Sequence, residues 1–150
     1  MSVMKGLLAL LTLNFIPRSI DFGLLLLRAG LGCGMMRHGL EKWQKWGQFR
    51  GTFSDPLQIG HQNSLILAIF AEVICSGLLI IGFGTRFAAL VLACTTGVAF
   101  FIGYKGAISK GAISTGEMSA LYLLCYVTLL IAGPGRFSFD GSGGGEAKPH

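Results

Sequence analysis

Four long apolar runs constrain this chain more than any other feature. They occupy residues 20–36, 65–83, 87–104 and 118–132 of 150. A helix that crosses the hydrocarbon of a bilayer needs about 20 apolar residues, with a range near 17–25. The first three runs meet that length, and the fourth, the shortest, needs Glu117 or Gly133 within the span. Composition agrees: hydrophobic residues make up 52% and charged residues 13%. An ordinary soluble domain carries about a quarter charged residues, so this chain has too few to cover a water-facing surface. The expected fold is all-α: an integral membrane four-helix bundle occupying residues 20–140.

The remaining segments fit around that domain. Residues 1–19 hold a short apolar run closed by Pro17-Arg18, without a small-x-small cleavage pattern. They are read as an interfacial N-terminal segment. The connection between the first two spans carries Trp43, Trp46, Phe49 and Phe53 at spacings of 3, 3 and 4. That pattern places them on one helical arc of about 120°, with Arg50 inside the arc. The spacing predicts a short helix lying in the headgroup layer, where half-wet Trp rings belong, ended near Asp55-Pro56. Residues 141–150 are Gly-rich and read as a flexible, solvated tail.

The cations, 12 Lys and Arg against 7 Asp and Glu, form no run or stripe. Nucleic-acid binding needs such a footprint, and its absence excludes that class. Instead they punctuate the ends of the apolar runs, as the positive-inside bias favours. Five flank one side of the expected bundle and six the other, so the count is balanced; an inner-membrane protein with cytoplasmic termini is expected. Cys33, Cys75, Cys94 and Cys125 fall one per span with no Cys-x-x-Cys pair, so no metal site is expected and the thiols read as small hydrophobes. The chain has 23 glycines, many within the spans. Small residues let helix backbones approach closely in lipid, within a bundle or at a homo-oligomer seam.

Charge inside a span is expensive, about 2.5–3.5 kcal/mol or more at mid-bilayer, so it marks a candidate site. Arg28 lies eight residues before Met36, and Glu72 seven after Leu65. Measured from those run ends, both lie about 10–12 Å below the face of the shared connection. Equal depth on consecutive antiparallel helices predicts an Arg28–Glu72 ion pair. From Arg28, helical spacing leads to Leu31, Met35, His38 and Lys42, and from Glu72 to Ser76 and back to His61. His38 and His61 are thus expected at the mouth of a polar intramembrane pocket, with the charged pair at its floor. Glu117 opens the fourth span and is expected to line the same mouth; a carboxylate there is also favoured by the helix dipole. Imidazole titrates near neutral pH, so such a pocket suits proton transfer or the polar head of a quinone.

The assembled residues resemble the DoxX family of small four-helix membrane proteins. The likeness rests on Arg28 with its glycines, His38-Gly39-Leu40-Glu41-Lys42, Ala71-Glu72 with Gly77, and Gly82-Phe83-Gly84-Thr85-Arg86. It continues through Gly116-Glu117 with Tyr122 to the closing Gly133-Pro134-Gly135-Arg136-Phe137-Ser138-Phe139-Asp140. The resemblance implies a membrane subunit of a redox complex, similar to the small membrane subunit of thiosulfate:quinone oxidoreductases. A soluble or membrane oxidoreductase would be the partner, since the chain has no flavin, haem or iron–sulfur motif of its own. Many members carry a His near the end of the third helix, where this chain has Tyr104-Lys105. The alternative is a non-catalytic membrane protein that transports a small solute or scaffolds a larger complex.

Overall fold

A computed structural model describes residues 20–109 and 113–143, and every regular element among them is helical. Helix α1 is Ile20–Gln44, α2 is Trp46–Phe49, and α3 is His61–Ile81. Helices α4 and α5 are Thr85–Ser109 and Ile113–Ala132, and α6 is the short Phe139–Gly143. Two of these are long and apolar enough to cross a membrane, His61–Ile81 and Thr85–Ile102, while Gly116–Ala132 is apolar but shorter. Residues 1–19, read from sequence as interfacial, lie outside the described residues.

Helix α1 runs eight residues beyond the expected end at Met36. Residues 37–44 therefore stand on the same rod as Arg28, and α2 is a separate four-residue turn begun after Lys45. The aromatic arc is consequently split: Trp43 belongs to α1, Trp46 and Phe49 to α2, and Phe53 to the turn beyond. Asp55 closes that connection. Its carboxylate accepts the hydroxyl of Ser64 at 2.7 Å and the backbone N–H groups of Ile59 and Gly60 at 3.1 and 2.7 Å. These bonds, the Ser64 hydroxyl foremost, hold the Asp55 carboxyl below its ordinary pKa.

The core is drawn from all four long helices: Met35 of α1, Cys75 and Leu79 of α3, Ala88, Ala89, Leu92 and Ala93 of α4, and Tyr126 and Leu129 of α5. Alanines on α4 let its backbone lie close to α5. The outer surface is apolar as well; Leu26, Ile66, Phe70, Phe87, Leu124 and Ile131 are all exposed. Such a surface suits hydrocarbon, where helices satisfy their own backbone polar groups.

Glycines set the register of α1 on α3. A Cβ at Gly39 would lie 2.7 Å from Val73 Cγ2 and 2.8 Å from Glu72 Cβ, and one at Gly32 would lie 3.0 Å from the Ser76 carbonyl oxygen. Residue 39 thus sits opposite 72–73, and 32 opposite 76–80. Helix α3 is α-helical over His61–Ile69 and Ser76–Ile81, with a π-helical stretch at Phe70–Cys75 between them. A π turn carries one extra residue, re-aims the side chains within it and is frequent at functional sites. Glu72 lies inside it.

The α3–α4 turn is built on Gly82, whose φ of +79° provides the left-handed helix ending that a side chain disfavours. Its N–H and that of Phe83 both reach the Leu78 carbonyl. The segment after α5 then folds back beneath this turn. Asp140 N–H donates to Gly82 O at 3.0 Å, and the Asp140 carboxylate accepts the N–H groups of Gly84 and Thr85 at 2.9 and 2.8 Å, capping α4. Ser142 N–H reaches Ser138 O, which carries helix α6 into the first residues of the tail expected to be flexible.

Candidate functional site

Arg28 and Glu72 are both buried, at 0% and 5% exposure, but they do not pair with each other. The expected ion pair is corrected by the register. Depth was counted from Met36 and Leu65, whereas the α1–α3 contact sets Glu72 opposite Gly39 and Arg28 opposite Gly82. Eleven helical residues, about 16 Å, separate those two levels. There are two polar centres, one towards each end of the helices.

The first surrounds Arg28. Its Nη2 donates to the carbonyl of Phe137 at 2.6 Å, and Nη1 lies against Gly82. Nε and Nη1 have no hydrogen-bond partner among the described residues. Asp140 is the nearby carboxylate; the Thr85 and Gly84 N–H groups hold its pKa below the ordinary value, and the Arg28 charge adds to the effect. Asp21 completes the region by accepting the Arg136 N–H at 2.9 Å. Every acceptor here holds one chain segment to another, so this centre fixes the fold.

The second centre is chemically less complete. The Lys42 ammonium forms an ion pair with Oε1 of Glu72 and lies 5.8 Å from the centre of the Phe53 ring. Oε2 of Glu72 is buried with no hydrogen-bond partner among the described residues, and so is the hydroxyl of Ser76 one turn further. A buried oxygen without a donor costs about 1–3 kcal/mol, more when charged. The π stretch and the bare backbone of Gly39 are what bring this carboxylate between helices. Sequence spacing had placed Lys42 on the face of Arg28 and His38 without identifying it as the partner of Glu72.

Apart from this pair, α1 and α5 border an open groove of about 500 Å3 lined by Gly34, Arg37, His38, Leu40, Glu41, Gln44 and Tyr122; neither Lys42 nor Glu72 lines it. The Tyr122 hydroxyl packs directly over Gly34. Behind it, Tyr122 stacks on the buried Tyr126 with ring centroids 6.0 Å apart, and Tyr126 reaches the Leu31 carbonyl at 3.4 Å. Glu41 accepts a hydrogen bond from the Lys45 ammonium at 2.6 Å, an exposed contact. His38 lines this groove, with neither Arg28 nor Glu72 in its lining. His61 and Glu117 are exposed and neither lines it; the His61 Nδ1 is 2.5 Å from the Phe53 carbonyl, which ties the start of α3 to the preceding connection. Tyr126 had no signal in sequence beyond its place in an apolar run, because its importance arises from burial among the helices and the reach of its hydroxyl to the Leu31 carbonyl of α1. Among the described residues no group of three or more His, Cys, Asp or Glu gathers as a metal site.

No curated protein and no solved structure matches the chain. The DoxX family model matches residues 23–105, from the start of α1 into the last part of α4. With this match covering more than half of its residues, and with two helices apolar enough to cross a bilayer, the chain is a membrane protein that belongs to the DoxX family.

Proposed function

We propose that the protein is a multi-pass inner-membrane subunit of a quinone-linked redox complex, built as a four-helix bundle with both termini on the cytoplasmic side. Helices α1, α3, α4 and α5 are its spans, and Trp43 with α2 lies in the headgroup layer. The observation that carries the reading is the Glu72 carboxylate. One of its oxygens is neutralised by Lys42, and the other is buried and free to accept. An intramembrane carboxylate held this way marks a route for protons or a polar ligand.

The groove fits a quinone head. Its volume lies within the range of small-molecule sites, and quinone carbonyls accept hydrogen bonds that His38, Arg37, Gln44 and Tyr122 can donate. A bound quinone would supply two-electron, two-proton redox chemistry, the electrons coming from a partner oxidoreductase. The protein's own contribution is to orient the head and hold protons. His38 presents its imidazole to the groove, and the Glu72 carboxylate, held through one oxygen by Lys42, leaves the other free to accept. The apolar side of α1, with Trp43, Trp46, Ile66 and Ile69 around a smaller groove of about 300 Å3, is available to lipid tails.

The test is quinone binding and turnover by protein reconstituted with and without its co-purifying oxidoreductase. His38→Ala and Glu72→Gln are each expected to lower turnover by about 10²–10⁴-fold, the range for losing a positioned proton-transfer group. Unchanged binding and turnover in both would reject the pocket. Solute flux in liposomes that disappears in Glu72→Ala would assign the transporter alternative instead.

A further inference from the structure

At the end of the molecule where the buried Arg28 lies, the carboxylates are taken up by backbone N–H groups, while two other guanidiniums, those of Arg86 and Arg136, face outward. Asp140 is spent on the N–H groups of Gly84 and Thr85, and Asp21 on the N–H of Arg136. Arg86 and Arg136 are exposed, and neither enters an ion pair among the described residues. The Arg86 guanidinium is held over the end of α5, within 3.4–3.9 Å of where a Cβ at Gly133 would be. Around these two cations stand four exposed rings: Phe83 at 52%, Phe87 at 62%, Phe137 at 58% and Phe139 at 64%. Phe83 and Phe139 meet edge to face at 5.6 Å, so the ring pair joins the α3–α4 turn to the fold-back segment.

Water would disfavour this arrangement and a bilayer boundary would favour it. Rings at this level enter the acyl boundary, while guanidiniums beside them reach the phosphate layer. Arginine forks match phosphate oxygens, and no nearby carboxylate competes. We infer that this end is a binding surface for anionic phospholipid, with Arg86 and Arg136 on the headgroup phosphates and the four phenylalanines among the acyl chains. The inference is independent of the quinone reading, because no residue of the His38 groove takes part.

The contrast with the opposite end makes the surface testable. Lys45 and Arg50 are exposed cations there, outside the lining of the His38 groove, and serve for comparison. The full-length protein is reconstituted in phosphatidylcholine bilayers with phosphatidylglycerol as the minor lipid, then released for native mass spectrometry. Retained phosphatidylglycerol is expected in preference to phosphatidylcholine. The double variant Arg86→Gln/Arg136→Gln should weaken retention about thirty-fold, from about 1 kcal/mol per surface cation. Lys45→Gln/Arg50→Gln should leave it unchanged. Equal losses in both double variants, or no preference in the parent protein, would overturn the inference. Spin-labelled phosphatidylglycerol and phosphatidylcholine on the unaltered protein give a second measurement that needs no variant to fold. A larger immobilised fraction of the anionic probe supports the surface, and equal fractions overturn it.

Discussion

Gly39 sets the backbone of α1 directly on the stem of Glu72, close enough that a methyl group at 39 would lie 2.8 Å from the Glu72 Cβ and 3.0 Å from its carbonyl carbon. Neither of those atoms is a flexible end that can swing away. Gly39→Ala is therefore expected to force α1 and α3 apart. Overpacking costs about 1–3 kcal/mol, partly offset by about 1 kcal/mol of helix propensity. Gly30, with nothing within 4 Å of its Cβ position, is the control, and Gly30→Ala should raise or preserve the melting temperature in detergent. If both alanines behave alike, close approach at Gly39 is not what positions Glu72.

Lys42 and Glu72 are expected to be coupled. The Lys42 side chain is 26% exposed and that of Glu72 only 7%, so Lys42→Met strands a buried carboxylate. Breaking a buried pair costs about 3–5 kcal/mol, and the partial exposure of Lys42 puts this case at the lower end. Glu72→Gln in the Lys42→Met background should recover most of the loss. A double-mutant cycle on unfolding midpoints reads the coupling directly, and additive effects would refute it.

Gly82 and Gly84 both have positive φ, +79° and +57°, but only Gly82 is crowded. A Cβ there would collide with the Arg28 guanidinium and stand 2.6 Å from the Ser138 Cβ. Gly84→Ala should cost about 1–2 kcal/mol from backbone conformation alone. Gly82→Ala should cost distinctly more, because it also displaces Arg28 from the Phe137 carbonyl. Thermal melts of the two variants, compared under one detergent condition, test the ranking.

Asp55 and Asp140 both have native pKa values below their ordinary ones, Asp55 chiefly through the Ser64 hydroxyl and Asp140 chiefly through the Thr85 N–H. A depressed carboxylate contributes stability that is fully present above its unfolded pKa of about 3.9 and is lost as pH falls through its native value. The melting temperature should accordingly be insensitive to these groups near neutrality and decline below about pH 4. Asp140→Asn should remove part of that acid dependence and, as a lost helix cap, lower stability by about 0.5–2 kcal/mol at neutral pH. An acid profile unchanged in Asp140→Asn would show that its carboxylate is not the titrating group.

Run lengths and charge scarcity were enough to indicate an all-helical membrane chain, and ordered short motifs to indicate the family. What they could not carry was register. Arg28 and Glu72 look equally deep when counted from the ends of apolar runs. The actual meeting of α1 and α3 depends on which glycine backbones, Gly32 and Gly39, accept a close neighbour. Lys42 was visible as a basic residue near a span end, yet its role follows only from α1 continuing as helix to Gln44. The π stretch that inserts Glu72 has no sequence signature, since it arises from packing between helices. Asp140 is likewise ordinary in sequence, and becomes a cap only because the chain returns to the α3–α4 turn.

That return has a consequence for biogenesis. Arg28 is translated early, and the carbonyl that receives it belongs to a residue 109 positions later. Until the ribosome has delivered Phe137, the guanidinium has to be satisfied by water or lipid phosphate, which holds the first helix near the interface. Final seating of α1 thus waits on a segment made 109 residues later. Quality-control proteases that sample nascent chains would meet an exposed, shallow α1 in any product truncated before residue 137.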